Sequence, residues 1–180
     1  MGQKIVAAIV TVLVVFVVLV AVQPAEFRIE RSITISAPQS VVFSLVNDLH
    51  SFNEWNPWAK KDPAMEQSYE GPAAGPGAIY RWSGNADVGA GSMTITESHA
   101  NEGVELELAF RKPMRATNAV EFTFRPNGEQ TVVTWSMSGE KDMTAKAIHL
   151  VMDMDKMVGG DFERGLADMK SLAESRAHGG

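Results

Sequence analysis

No cysteine occurs in the sequence, which removes disulfides, thiol nucleophiles and cysteine-ligated zinc or iron–sulfur centres together. Histidine is sparse as well: His50, His99, His149 and His178 fall in separate stretches, and none stands at metal-ligand spacing from another. His149 and Asp153 lie four apart on one helix face, a spacing that acidic chains produce by accident. No Gly-x-Ser-x-Gly elbow is present, and Gly71, Gly75 and Gly77 lack the Lys-Ser/Thr ending of a phosphate loop. Catalytic residues, metal ligands and cofactors are therefore expected to be none. Basic residues are also in the minority, 16 Lys and Arg against 22 Asp and Glu, for a formal net charge of -6. Such a chain is a poor counterion for a phosphate backbone, so no nucleic-acid partner is expected. No residue pattern sets an oligomeric state.

What is present begins with a long apolar run. Ile5 to Val22 spans eighteen residues, apolar throughout except for Thr11. As a helix it rises roughly 27 Å, close to the thickness of the hydrocarbon core of a bilayer. Thr11 costs little there, because its hydroxyl can bond back to the preceding turn. The competing reading is a cleaved secretory signal, since Lys4 supplies a small positive region. Against it, Ala21-Val22-Gln23-Pro24-Ala25 offers no clean Ala-x-Ala site, and Pro24 crowds the scissile region. An uncleaved single-pass anchor in the cell membrane is favoured. Arg28 and Arg31 are partly offset by Glu26 and Glu30, and the short lead ahead of Lys4 leaves little to translocate. The N-terminus is therefore assigned to the cytoplasm and the following domain to the outside. The expected division is 1–26 as anchor and short linker, 27–176 as one folded domain and 177–180 as a frayed tail.

Beyond the anchor, hydrophobic periodicity predicts an α+β domain. Phe27, Ile29, Ile33 and Ile35 share one face of a strand, interrupted by Arg31. With Pro38 at a first helical position, Val41, Val42, Leu45, Val46 and Leu49 recur at helical spacing, and a second short helix runs from Leu49 toward Trp58, stopped before Pro57. Alternating runs then predict strands over Ile79–Trp82, Ser92–Thr96, Val104–Phe110, Val120–Phe124 and Thr131–Met137, with a hairpin turn at Asn127-Gly128. Val104, Leu106, Leu108 and Phe110 oppose Glu105 and Glu107, the mark of an antiparallel sheet with one face on a core. Phe162, Leu166, Met169 and Ala173 form the stripe of a long helix that covers it, with a kink or break expected at Gly159-Gly160.

Several side chains stand out. Methionine is common, and Met93, Met114, Met137, Met143, Met152, Met154, Met157 and Met169 are expected mostly inside, as core filling or as the adaptable wall of a cavity. Trp135 is expected inward, and Trp55 and Trp58 are expected to brace the short helices against the sheet. Tyr80 and Trp82 share one strand face, so either they or Ile79 and Arg81 look outward. Arg31 and Arg81 each need a partner or solvent, the plainest solution being a surface salt bridge.

Three stretches carry a resemblance to a known family: Ile33 to Val46 with Ala37-Pro38 ahead of Val41-Val42-Phe43; Phe52-Asn53-Glu54-Trp55-Asn56-Pro57-Trp58; and Phe162-Glu163-Arg164-Gly165-Leu166 leading to Met169-Lys170 and Glu174. Over Phe27 to Ser175 the chain resembles the START-like superfamily, the polyketide cyclase/dehydrase or SRPBCC group. The resemblance implies a helix-grip fold, in which a curved antiparallel sheet wraps a long C-terminal helix and leaves a cavity used for lipids and other hydrophobic molecules. The expected ligand contacts are Trp82, Arg81, Phe110, Phe122, Trp135, Met137, Met152, Phe162 and Leu166. The leading expectation is thus a membrane-anchored binding or transfer module for a hydrophobic small molecule or lipid. A cyclase or hydrolase-like enzyme in the same cavity, and an envelope interaction protein with a closed core, are the alternatives.

Overall fold

The computed structural model describes residues 2–178. Twelve elements follow in order: α1 (Gly2–Ala21), β1 (Glu26–Ile35), α2 (Gln39–Asn47), α3 (Leu49–Trp55), β2 (Glu66–Glu70), β3 (Ile79–Ser83), β4 (Ala90–His99), β5 (Gly103–Lys112), β6 (Ala116–Asn127), β7 (Gln130–Glu140), α4 (Met143–Val151) and α5 (Met154–His178). The α1 helix stands clear of the domain, its side chains exposed except for Val20, and it touches α4 near its end. Thr11 donates its hydroxyl to Ala7 O at 2.9 Å, the back-bond that makes a threonine cheap in an apolar helix.

The strands form one antiparallel sheet in the order β1-β7-β6-β5-β4-β3-β2. The first strand of the domain lies beside the last, so the sheet is wound across the whole length of the sequence. Register shifts between Ala90 and Gly91 and between Ile95 and Glu97 interrupt the β4–β5 ladder, and such bulges increase twist and bend a sheet. This curved sheet grips α5, whose stripe Phe162, Leu166, Met169 and Ala173 is buried to 1% or less. The architecture is the helix-grip fold, with one apolar helix ahead of it.

Several local details depart from the sequence expectation. β2 was not expected, because Glu66–Glu70 reads EQSYE and carries no apolar alternation. It exists because β3 offers it a hydrogen-bonding edge, and its polar side chains protect the sheet margin from further pairing. Pro38 is the N-cap of α2 rather than its first helical residue, with φ -61° and ψ 148°. Asp48 caps α3 by accepting from His50 N at 2.8 Å, and α3 stops at Trp55. The hairpin after β6 pairs Asn127 with Gln130, so its central residues are Gly128 and Glu129 rather than Asn127 and Gly128. Gly128 adopts φ 63° there, the left-handed conformation that glycine reaches without strain.

The break expected at Gly159-Gly160 is absent, and α5 runs straight through both glycines. The chain turns at Met152 and Asp153 instead, where Asp153 Oδ1 accepts from Lys156 N at 3.0 Å. Gly159 serves a different purpose: a Cβ there would overlap the Arg31 guanidinium, which lies across the helix. Arg31 donates to Glu163 Oε1 at 2.8 Å and to Asp155 Oδ2 at 2.9 Å. The interruption in the apolar face of β1 is thus a clamp on α5. Ala177 and His178 belong to α5 rather than to a frayed tail, and residues 179–180 lie outside the described residues.

Candidate functional site

The curved sheet, the first half of α5 and the overlying α4 enclose a cavity of about 400 Å³, within the range of sites that hold small molecules. Its floor is an aromatic stack. Trp135 on β7 lies parallel to Phe162 on α5, ring centroids 4.0 Å apart, with Phe122 on β6 behind it at 5.0 Å. Trp58 and Trp55 meet Trp135 edge-on at 5.9 Å and 5.5 Å. Gly165 lets Trp135 approach the helix, because a Cβ at that position would stand 2.9 Å from the indole Cζ3. Trp55 satisfies its indole N–H on Leu45 O at 2.8 Å, whereas Trp135 Nε1 is buried without a partner among the described residues.

A second wall comes from β3 and β4. Tyr80 and Trp82 both face inward, stacked at 5.8 Å, and Trp82 donates to Val88 O at 3.0 Å. Gly91 on β4 admits the indole, since a Cβ there would lie 2.6 Å from Trp82 Cζ2. Ala145, Ile148 and His149 of α4 close the opposite side. α4 buries no residue fully, so it is a thin cover rather than part of the core. His149 packs on Phe27 at 5.5 Å. Partial burial, reinforced by the nearby Lys141 ammonium, lowers its pKa below the ordinary imidazole value.

Of the residues expected from sequence to meet a ligand, Trp82, Phe110, Trp135, Met137 and Phe162 line the cavity. Four others do not. Phe122 is fully buried behind Trp135, in the stack rather than on its surface. Leu166 lies one helical turn past Phe162, sealed in the core. Strand alternation turns Arg81 outward, where its guanidinium donates to Glu70 Oε1 at 2.8 Å; this contact holds the Glu70 carboxyl below its ordinary pKa. Met152 sits at the exposed turn between α4 and α5. Methionine is also less internal than expected. Met65, Met93, Met137 and Met169 are buried, but Met114, Met143, Met152 and Met157 are 42–53% exposed, because the segments bearing them form the outside of the cavity's rim.

Sequence reasoning missed Asn118 and the role of α4. Asn118 becomes visible when the β6 alternation Val120, Phe122, Phe124 is extended backward by one step. The helical spacing of Ala147, Ile148, Val151 and Met152 announces a helix there, but not what it covers.

The polar chemistry of the cavity is limited. Asp161 is its one buried carboxylate, and it is held by Lys61 at 2.8 Å and by Arg164. Burial pushes the Tyr80 phenol well above its ordinary value. Among the described residues, no three His, Asp or Glu side chains gather where they could hold a metal ion. Among the described residues the site offers apolar volume and a few polar contacts.

Residues 26–174 match the family described as polyketide cyclase / dehydrase and lipid transport. The chain belongs to that family. Members of this fold bind hydrophobic ligands. Among solved structures, it is similar to protein CV1439 from Chromobacterium violaceum, with 15% identity, TM-score 0.59 and coverage of 84% of this chain and 99% of that one. The major latex-like protein 151 of Panax ginseng aligns at 14% identity and TM-score 0.55, covering 83% and 99%. The di-domain ARO/CYC StfQ of the steffimycin biosynthetic pathway aligns at 11% identity and TM-score 0.60, over 86% of this chain and 53% of that one. At such identities the likeness is one of fold. No curated protein is significantly similar in sequence.

Proposed function

We propose that this family member is a membrane-tethered module that holds one hydrophobic molecule, a lipid or similar compound, between the sheet and α5 and exchanges it with the bilayer. The observation that carries the reading is the cavity itself, about 400 Å³ of space walled by Trp82, Phe110, Trp135, Met137 and Phe162. A protein interior normally closes such space, since unfilled apolar volume costs stability. The five lining residues just named are the ligand contacts in this reading.

Tethering is supported by α1, which is long and apolar enough to span a membrane and exposes nearly every side chain. An apolar face of that size in water is unfavourable by many times the thermal energy. The helix is read as an uncleaved, single-pass anchor with the domain on the extracytoplasmic side. Only Val22 to Ala25 separate α1 from β1, and Lys141 N donates to Ala25 O at 2.6 Å, so the cavity cover α4 starts beside the anchor. Exposed Met114, Met143, Val151, Met152 and Met157 give that rim an apolar surface suited to a bilayer. For the enzymatic alternative, Asp161 would have to act as acid or base while held by two cations, which favours a binding role.

The test is extraction of the chain in native membrane patches, followed by mass spectrometry of hydrophobic molecules bound to it. Recovery of a discrete compound, lost in a Met137→Trp variant that fills the cavity, is expected. Empty protein that also fails to exchange a fluorescent fatty acid between vesicles would refute the reading.

A further inference from the structure

The cavity is chemically lopsided. The Trp135–Phe162 end is mainly aromatic, with Asn56, the paired Asp161 and Trp135 Nε1 as its polar groups, whereas Asn118, Lys112 and Lys141 stand at the other end. Asn118, on β6, is only 8% exposed, lines the cavity, and makes no side-chain hydrogen bond to any described residue. Its amide atoms open onto the cavity instead of being sealed from it, so two N–H donors and one acceptor face whatever occupies that space. The surroundings are shaped to hold it: a Cβ on Gly139, across the β6–β7 ladder, would overlap Asn118 Oδ1 and stand 3.0 Å from Phe27 Cε1. The glycine therefore makes room for the amide.

Two cations lie farther toward the mouth on the inner face. Lys112 continues the column Leu108, Phe110 of β5, and Lys141 continues the column Met137, Gly139 of β7; both line the cavity. Neither makes an ion pair among the described residues, although the chain is acidic overall. Glu140, on the alternate column of β7, and Asp87, on the β3–β4 loop, also line the cavity but pair with neither lysine, and Asp161 is already neutralised by Lys61 and Arg164. His149 approaches the same end against Phe27 and makes no side-chain hydrogen bond to a described residue.

We infer that the cavity takes an amphiphile in a single orientation, with the hydrocarbon tail against Trp135 and Phe162 and an anionic, oxygen-bearing head at Asn118 between Lys112 and Lys141. The inference rests on the proposed holding of a hydrophobic molecule and names its chemical class. Carboxylate and phosphate heads share this chemistry: each accepts N–H donors and carries charge, and charge-assisted bonds are the strong ones. A neutral head would leave the two ammonium groups unused.

The test uses the full chain in native membranes and three photoactivatable probes with one twelve-carbon tail, each bearing a diazirine near the tail tip. The heads are a carboxylate, its methyl ester and a monoalkyl phosphate. The acid or the phosphate is expected to label peptides carrying Trp135 and Phe162 several-fold more than the ester. The stronger of the two assigns the head. Asn118→Asp, nearly isosteric but negative, is expected to lower labelling by the anionic probes about tenfold and leave the ester unchanged. Lys141→Gln, at the rim and outside the core, should lower it in the same selective way and carries the test if Asn118→Asp fails to fold. Equal labelling by all three probes, unmoved by Lys141→Gln, would overturn the inference while leaving a cavity that binds apolar tails. Tail-tip labelling at Met114 or Lys141 would overturn the orientation. No cavity labelling by any probe would overturn the holding function itself.

Discussion

Two adjacent glycines in α5 should respond to the same substitution in opposite ways. Alanine in a helix interior is favoured over glycine by about 1 kcal/mol, because glycine loses more backbone freedom on folding. At Gly160 nothing opposes that gain, since the nearest atom to a new Cβ is Arg164 Nη1 at 3.8 Å. Gly160→Ala should therefore stabilise the protein by about 1 kcal/mol, a rise of roughly 2–4 °C in Tm for a domain of this size. At Gly159 the new methyl would occupy the place of the Arg31 guanidinium. Arg31 would have to leave Glu163, Asp155 and its backbone bonds to Asp155 O at 3.1 Å and Glu30 O at 2.8 Å. Gly159→Ala should thus lose the helix-propensity gain and fall below the parent in stability. The contrast is measured by urea unfolding of the full chain in lipid nanodiscs, followed by tryptophan fluorescence. A cycle with Arg31→Ala separates causes: once the guanidinium is gone, Gly159→Ala should gain the same ~1 kcal/mol as Gly160→Ala. If Gly159→Ala stabilises the parent as much as Gly160→Ala does, Arg31 does not lie across the helix and the clamp is refuted.

Truncating the floor of the cavity, Phe162→Ala, should cost about 3–5 kcal/mol, as for large buried aromatics elsewhere; a loss under about 1 kcal/mol in the same assay would contradict the Trp135 stack. Replacing Val14 and Val15 together by arginine should release much of the protein from carbonate-washed membranes, since each central charge opposes insertion by roughly 3 kcal/mol, and unchanged retention would argue against a spanning α1. Acid should weaken the clamps on α5. The guanidinium of Arg31 holds Asp155 below its ordinary pKa, and Lys170 with Ser36 N does the same for Glu174. Both folded-state values are depressed, so their stabilisation is present above the ordinary values of 3.8 and 4.5 and is lost as pH falls through the lowered ones. The drop in urea midpoint from pH 5 toward pH 3 should be smaller in Asp155→Asn and Glu174→Gln, and an identical drop in both would remove these pairs from the acid response.

Hydropathy and periodicity in the sequence were enough to determine the apolar N-terminal helix, the inward columns of four strands and the stripe of α5, because those signals are local and repeat at 3.6 or 2 residues. They also placed Trp135 and Phe162 on inner faces. What they lacked was any measure of depth. Phe122 and Trp135 have the same alternation, yet one is sealed behind the other, and only the register of β6 against β7 makes that choice. Tyr80 and Trp82 against Ile79 and Arg81 was a two-way choice of face, settled inward by the partner strand β4 and the space left by Gly91. The role of Gly159 depended on Arg31, 128 positions earlier in the numbering, and β2 depended on a neighbour's free edge. Asn118 lay outside the predicted strand Val120–Phe124, and only packing set it in the cavity wall. Local patterning decides which way a side chain points, whereas what it meets there depends on chain segments far away in sequence, and tertiary structure alone brings those together.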